Sequence, residues 1–331
     1  MALHPQVAAF LAGLPAADTR PVSEISVAEV RQQFNDMVNA RHDDPIPVGS
    51  IETLQIPGPA GDIAVRLYRP AENGEIETDL PPLLVYYHGG GHVVGSLDSH
   101  DSVARGLCRE ARCVVASVDY RLAPEHLFPA AIDDSYAATK WLAEHTDQIG
   151  ARSGSLAVAG DSAGGNIAAV VSLIARDDRT GPSIDFQLLM YPVADYTCTA
   201  DSHRTYATGF GGLTADRMLW FQQHYLPDVA AADDWRASPI KGSDLSALPP
   251  ALVITAECDV LHDEGVAYAR AMSDAGTTVE HIDWPGMIHG FVSSAAIFDE
   301  GRAALSLAAE RLQNALNGKK IPECRQLRPV K

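Results

Sequence analysis

Along the chain, the rhythm of apolar and polar positions changes three times. Val27, Val30, Phe34, Met37 and Val38 recur at helical spacing, which predicts a short amphipathic helix whose apolar face needs a cover. From Glu52 the stretches ETLQIP and DIAVRLYRP alternate on either side of the turn-forming PGPAG and predict an antiparallel hairpin. Short, nearly continuous apolar runs follow: LLVYY (83–87), CVVASVDY (113–120), SLAVAG (155–160), FQLLMY (186–191) and ALVITA (251–256). Uninterrupted runs of this length suit strands covered on both faces. Helical patterns over 131–147, 162–176, 263–275 and 301–317 lie between and after them, and the alternation predicts a parallel sheet sandwiched by helices. Between Pro192 and Pro250 the interval is longer than a crossover needs and reads as an insertion. Its Met218, Trp220, Phe221 and Tyr225 are groups that pack rather than solvate, so with the N-terminal helix it predicts a cap.

The division that follows is 1–50 for N-terminal cap helices, 51–192 and 250–317 for the two parts of the core, 193–249 for the cap insertion, and 318–331 for a loose tail. That tail begins within GKKIPECRQLRPVK, which has five basic residues and no apolar period. Composition narrows the function. With 46% hydrophobic and 21% charged residues, the 331-residue chain is that of an ordinary globular protein rather than a disordered one. Its formal charge of −18 has the wrong sign for nucleic acid or anionic membranes, and no apolar run approaches the length of a membrane span. The first twenty residues lack the basic start of a secretory signal, so the cytoplasm is expected. Five scattered cysteines, without C-x-x-C spacing, predict reduced thiols and neither disulfide framework nor metal site.

The candidate chemistry centres on Gly160-Asp161-Ser162-Ala163-Gly164, set between the strand-like SLAVA and the helix-like NIAAVVSLIA. G-x-S-x-G in that context predicts a tight strand-to-helix turn that lifts the Ser162 hydroxyl to the sheet's upper edge, where it can attack a carbonyl. A glycine-rich phosphate turn is the bland rival, and the flanking strand and helix disfavour it. His88-Gly89-Gly90-Gly91 follows LLVYY directly; alone it could be a flexible turn, but paired with the serine motif it supplies bare amides for an oxyanion hole. The donors expected are the amides of Gly90, Gly91 and Ala163. A serine nucleophile on such a fold takes its acid and then its histidine later in the chain. Asp259, just past ALVITA, is the expected acid; Glu257, Asp263 and Glu264 compete, the last two reading as dipole-complementing residues of a helix start. Of 12 histidines, His289 is the one downstream in a Gly-flanked turn; His281 sits in a strand pattern and His262 adjoins the acid loop. His92 and His100 read as ordinary pocket or surface histidines.

Taken together, HGGGHVVGSLDSHD, DYRLAPEHLFPAA, GDSAGGN, TAECDVLHDEG and PGMIHGF resemble, in order and spacing over residues 50–317, the bacterial hormone-sensitive-lipase-like carboxylesterases of the α/β-hydrolase superfamily. The resemblance implies an α/β-hydrolase fold with a mostly parallel eight-stranded sheet, a helical cap, and hydrolysis of short- to medium-chain carboxylic esters with no cofactor. It places Asp161 as the mark of the GDSAG branch, with His88 and Gly89 as motif support. The chain departs from the family's acid loop, where Cys258, Val260 and His262 stand for Phe, Pro and Arg, which bears on the loop's rigidity and charge. It also departs after HGGG, where His92 replaces Trp or Phe and implies a more polar pocket lining. Two other functions are compatible with these motifs: an amidase or peptidase, and a ligand-binding relative with a silent triad. The expected partner is a small-molecule ester, and the oligomeric state, monomer or homodimer, stays open.

Overall fold

The computed structural model describes residues 2–13, 20–39, 45–71 and 80–319; most of the expected tail and parts of the N-terminal region lie outside these. Two helices open the chain, α1 (Pro5–Gly13) and α2 (Val27–Asn39). The hairpin β1 (Ser50–Gly58) and β2 (Gly61–Arg69) follows, and then β3 (Leu83–Tyr87), α3 (Asp101–Ala111), β4 (Val114–Val118), α4 (Ala130–Glu144) and the short α5 (Thr146–Ile149). Next come β5 (Leu156–Asp161), α6 (Ala163–Asp177) and β6 (Phe186–Met190). Residues 191–250 carry α7 (Asp201–Thr205), α8 (Ala215–Tyr225) and short 3-10 turns before β7 (Ala251–Cys258), α9 (His262–Asp274), β8 (Val279–Ile288) and α10 (Asp299–Leu316).

The eight strands make one sheet in the order β1-β2-β4-β3-β5-β6-β7-β8. β1, β2 and β4 pair antiparallel, and every pairing from β4 to β8 is parallel. β3, β4, β5 and β6 are buried at every position because helices cover both faces, which is why their sequences lack alternation. β2 keeps an alternating start, exposed then buried, as befits its place near the open edge. The centre of the molecule is α6 on β5: Ile167, Val170 and Val171 are fully buried, each stabilising the fold by about 1.5–3 kcal/mol relative to exposure.

Three readings are corrected. Helix α3 was not anticipated, although Val103, Ala104, Leu107, Cys108 and Ala111 recur at helical spacing and form its buried face against β4 and α10. The helix expected over 131–147 breaks at His145, whose non-helical φ of −122° and ψ of 34° end α4 before α5 starts. WPGMI, expected in a loop, belongs to β8. The register against β7 shifts between Ala256 and Cys258, and the Gly286 amide bonds the Glu257 carboxylate at 2.6 Å instead of a ladder carbonyl.

Candidate active site

Four parallel strands deliver their carboxyl ends to one region, the edge at which open α/β sheets hold their sites: β3 ends at the glycine run, β5 at Ser162, β7 at Asp259 and β8 at His289. Ser162 adopts φ 56° and ψ −118°, a conformation costly for a residue with a Cβ. Its flanks over-determine it. A Cβ on Gly160 would stand 2.1 Å from the Gly164 carbonyl oxygen, and one on Gly164 would stand 1.9 Å from that of Tyr87. Only glycine lets β5, α6 and β3 approach this closely, and the approach projects the serine outward.

The side chains predicted to act together do meet. His289 Nε2 lies 2.9 Å from Ser162 Oγ, and its Nδ1 lies 2.6 Å from Asp259 Oδ2. A carboxylate only accepts, so Nδ1 carries the proton and Nε2 turns a lone pair to the serine hydroxyl. Asp259 is almost wholly buried, and its other oxygen accepts from the Leu261 amide at 3.0 Å. The His262 amide donates to the Asp259 carbonyl at 3.1 Å, so two hydrogen bonds close the acid turn despite the missing proline. The competing carboxylates are engaged elsewhere. Glu257 holds Gly286; Asp263 accepts from the Ser202 amide and from His262; buried Glu264 accepts from Ala194 and Asp195 and meets His203 at 3.0 Å. For Asp263 and Glu264 the reading as helix-start residues therefore understates the case, since both also tie α9 to the 191–250 segment.

Gly90 has φ +124° and Gly91 φ +60°, and among the described residues neither amide reaches an acceptor. Ala163 is the first residue of α6, whose amide has no partner within the helix. These three predicted donors are thus free to bind an anion. The supporting residues brace them: Asp161 Oδ1 accepts from Tyr86 Oη at 2.6 Å and from the Gly89 amide at 3.0 Å, linking the glycine run to the serine turn. Burial pushes the Asp161 carboxyl up, but His100, 3.4 Å from Oδ2, and the Tyr86 hydroxyl outweigh it and hold it below the usual range. Burial, helped by His100, drives His88 down to about 3, so it is a neutral, structural imidazole stacked on Tyr120.

Neither His92 nor His100 is at the surface. His92 is fully buried with its ring 3.9 Å from that of Tyr225, burial pushes it down to about 3, and it does not line the cavity; the more polar lining inferred from it is corrected. α2 provides the cover its own apolar face required: Phe34 stacks on His100, while Arg31 donates to the Val93 and Ala123 carbonyls and pairs with Glu125. From the other side, Phe221 of α8 lies where a Gly91 side chain would go, with its Cγ 2.3 Å from that Cβ position. Between them is a cavity of about 660 Å³ whose wall includes Gly90, Gly91, Ser162, His289, Phe34 and Phe221. The part played by α8, and by Arg217 upon it, was missed in the sequence, where only its bulky residues signalled packing. Among the described residues no group of three or more His, Cys, Asp or Glu is arranged to hold a metal, and no helix is long and apolar enough to cross a membrane.

Comparison with known proteins identifies the fold. A model of the alpha/beta hydrolase fold matches residues 84–293. An ethyl acetate hydrolase of Pseudomonas putida is 38% identical over 329 residues, covering 96% of this chain and 100% of its own length. Carboxylesterase NlhH of Mycobacterium tuberculosis is 42% identical over 261 residues, 77% of this chain and 79% of that one. The solved structure of an esterase from Pyrobaculum calidifontis superposes with a TM-score of 0.86 at 42% identity, over 94% of this chain and 98% of its own. A family match across more than half the sequence, with relatives aligned along nearly all of it, decides descent: the chain belongs to the α/β-hydrolase fold family, among its hormone-sensitive-lipase-like carboxylesterases.

Proposed function

We propose that the chain is a serine esterase that cleaves short- to medium-chain carboxylic esters through an acyl-enzyme, with Ser162, His289 and Asp259 as its triad. The observation that carries this reading is the continuous hydrogen-bond line from Ser162 through His289 to Asp259, opening onto the cavity beside unbonded glycine amides. Ser162 Oγ attacks the ester carbonyl carbon as its proton passes to His289 Nε2. Asp259 holds the ring and stabilises the imidazolium, while the amides of Gly90, Gly91 and Ala163 receive the oxyanion; one such donor is typically worth about 2.7–4 kcal/mol in the transition state. The carbon–oxygen bond to the alcohol then breaks, and the leaving alkoxide takes the proton from Nε2. Water repeats the sequence on the acyl-serine, releasing the acid and restoring Ser162. The modest cavity supports the chain-length range.

The test is Ser162→Ala on a chromogenic short-chain ester. Turnover falls to the small residue that binding and the oxyanion hole supply, the circular dichroism spectrum stays native, and an organophosphonate labels wild type at Ser162 but not the variant. Wild-type turnover by the variant refutes the assignment.

A further inference from the structure

Arg217 stands in the first turns of α8, one helical turn before Phe221, the residue packed on the glycine run. It lines the same cavity as Ser162 and His289. Its Nη1 is sealed from solvent and, among the described residues, has no acceptor. Among the described residues no carboxylate pairs with it: the other arginines on the cavity wall are held, Arg105 by Asp101 and Arg302 by Asp299, while Asp98 is taken by Arg66. Glu24, on the short turn that packs against α8, is exposed and makes no ion pair with it. The Trp220 ring, 5.6 Å from Cζ, supports the guanidinium from one side and satisfies none of its donors. Burial lowers the Arg217 pKa.

A half-buried guanidinium with no acid beside it among the described residues gains from a carboxylate that a ligand supplies. The reacting end of the cavity already has its donors, so the open N–H groups of Arg217 serve a different part of the substrate. We propose that Arg217 is a specificity residue for esters that carry a second, anionic group, a carboxylate several bonds from the scissile carbonyl, which it binds by charge-assisted hydrogen bonds from its guanidinium N–H groups other than the sealed Nη1. This rests on the triad reading above and names its substrate class: monoesters of dicarboxylic acids. The chain's charge of −18 opposes anions at long range, but salt screens that field within about 10 Å, whereas a guanidinium inside the cavity acts at contact.

Three ethyl esters of matched shape test it. Monoethyl glutarate, ethyl 5-oxohexanoate and ethyl 5-methylhexanoate end respectively in a carboxylate, an acetyl and an isopropyl group, and acid release is followed by pH-stat; the succinate and adipate homologues bracket the spacing. The readout is the ratio of kcat/KM for the carboxylate ester to that for its isopropyl isostere, measured within each protein. Wild type favours the carboxylate, Arg217→Gln lowers the ratio at least about tenfold, mainly through KM, and Arg217→Lys retains part of it. An unchanged ratio in both variants overturns the proposal, as does an acetyl ester that loses as much as the carboxylate, which would mark a neutral acceptor subsite. If wild type turns over none of these esters nor the chromogenic one, the triad reading fails instead, and a variant that does not fold leaves the decision to the other.

Discussion

Asp259→Asn separates an orienting carboxylate from a merely structural one. Asparagine has the same shape, so the buried turn survives, but its two ends are now different. Asp259 accepts on both oxygens, from the Leu261 amide at 3.0 Å and from His289 Nδ1 at 2.6 Å. If the asparagine oxygen keeps Leu261, its NH2 faces His289, which must accept at Nδ1 and move its proton to Nε2. The lone pair that faced Ser162, 2.9 Å away, is then gone. If the amide flips instead, NH2 opposes the Leu261 N–H and leaves a buried donor unpaired, at a cost of about 1–3 kcal/mol. Either way the developing imidazolium loses its counter-charge. The same change in a serine protease triad lowers turnover about ten-thousand-fold, about 5.5 kcal/mol of transition-state stabilisation, and the equal geometry here sets the same expectation. The control is Asp263→Asn, since Asp263 bonds Ser202 and His262 at the α9 N-terminus and does not meet His289. Losing a helix-end charge is worth about 0.3–1 kcal/mol, less than about fivefold in rate. Both variants are assayed for kcat and KM on one chromogenic ester, with circular dichroism and thermal melts to establish folding. A folded Asp259→Asn with near-wild-type kcat, or an Asp263→Asn that is the more damaged, refutes the reasoning.

Three further outcomes are expected. Gly91→Ala should destabilise the fold and cut turnover, because a left-handed φ of +60° costs a side chain about 1–2 kcal/mol and the new Cβ meets the Phe221 ring; melts and kinetics check it, and a neutral substitution contradicts the packing. Burial alone would lower His262, but the Asp283 and Asp263 carboxylates outweigh it and raise it to about 9, so its stabilisation is fully present below about pH 6.5 and disappears as pH rises through about 9. His262→Gln therefore melts below wild type near pH 6, by about 1–3 kcal/mol after solvent screening, and the gap closes above pH 9; a gap constant with pH disproves the pair. A chelator should leave ester turnover intact, and loss of activity restored by added zinc would point to metal chemistry that the described donors do not suggest.

What the sequence determined by itself was local. Strands buried on both faces announce themselves as unbroken apolar runs because no solvent face imposes alternation, and LLVYY and ALVITA needed no neighbours to be recognised. GDSAG was legible because a turn that tight excludes any Cβ at Gly160 and Gly164. α3 was legible too, in Val103, Leu107 and Ala111, but its period lay in the shadow of the glycine motif before it. Chain order nominated Asp259 and His289, yet that His289 lies within hydrogen-bond reach of a serine 127 residues away is a fact of strand order, not of composition. Other features existed only once the chain was folded: the Glu257 carboxylate that replaces a ladder bond at Gly286, the acids on either side of His262, and the burial of His92 against Tyr225. Arg217 is the sharpest case. Its letter in the sequence is that of any surface arginine, and its meaning depends on which carboxylates the tertiary structure brings near and which it keeps away, a question of distance in space that no spacing along the chain encodes.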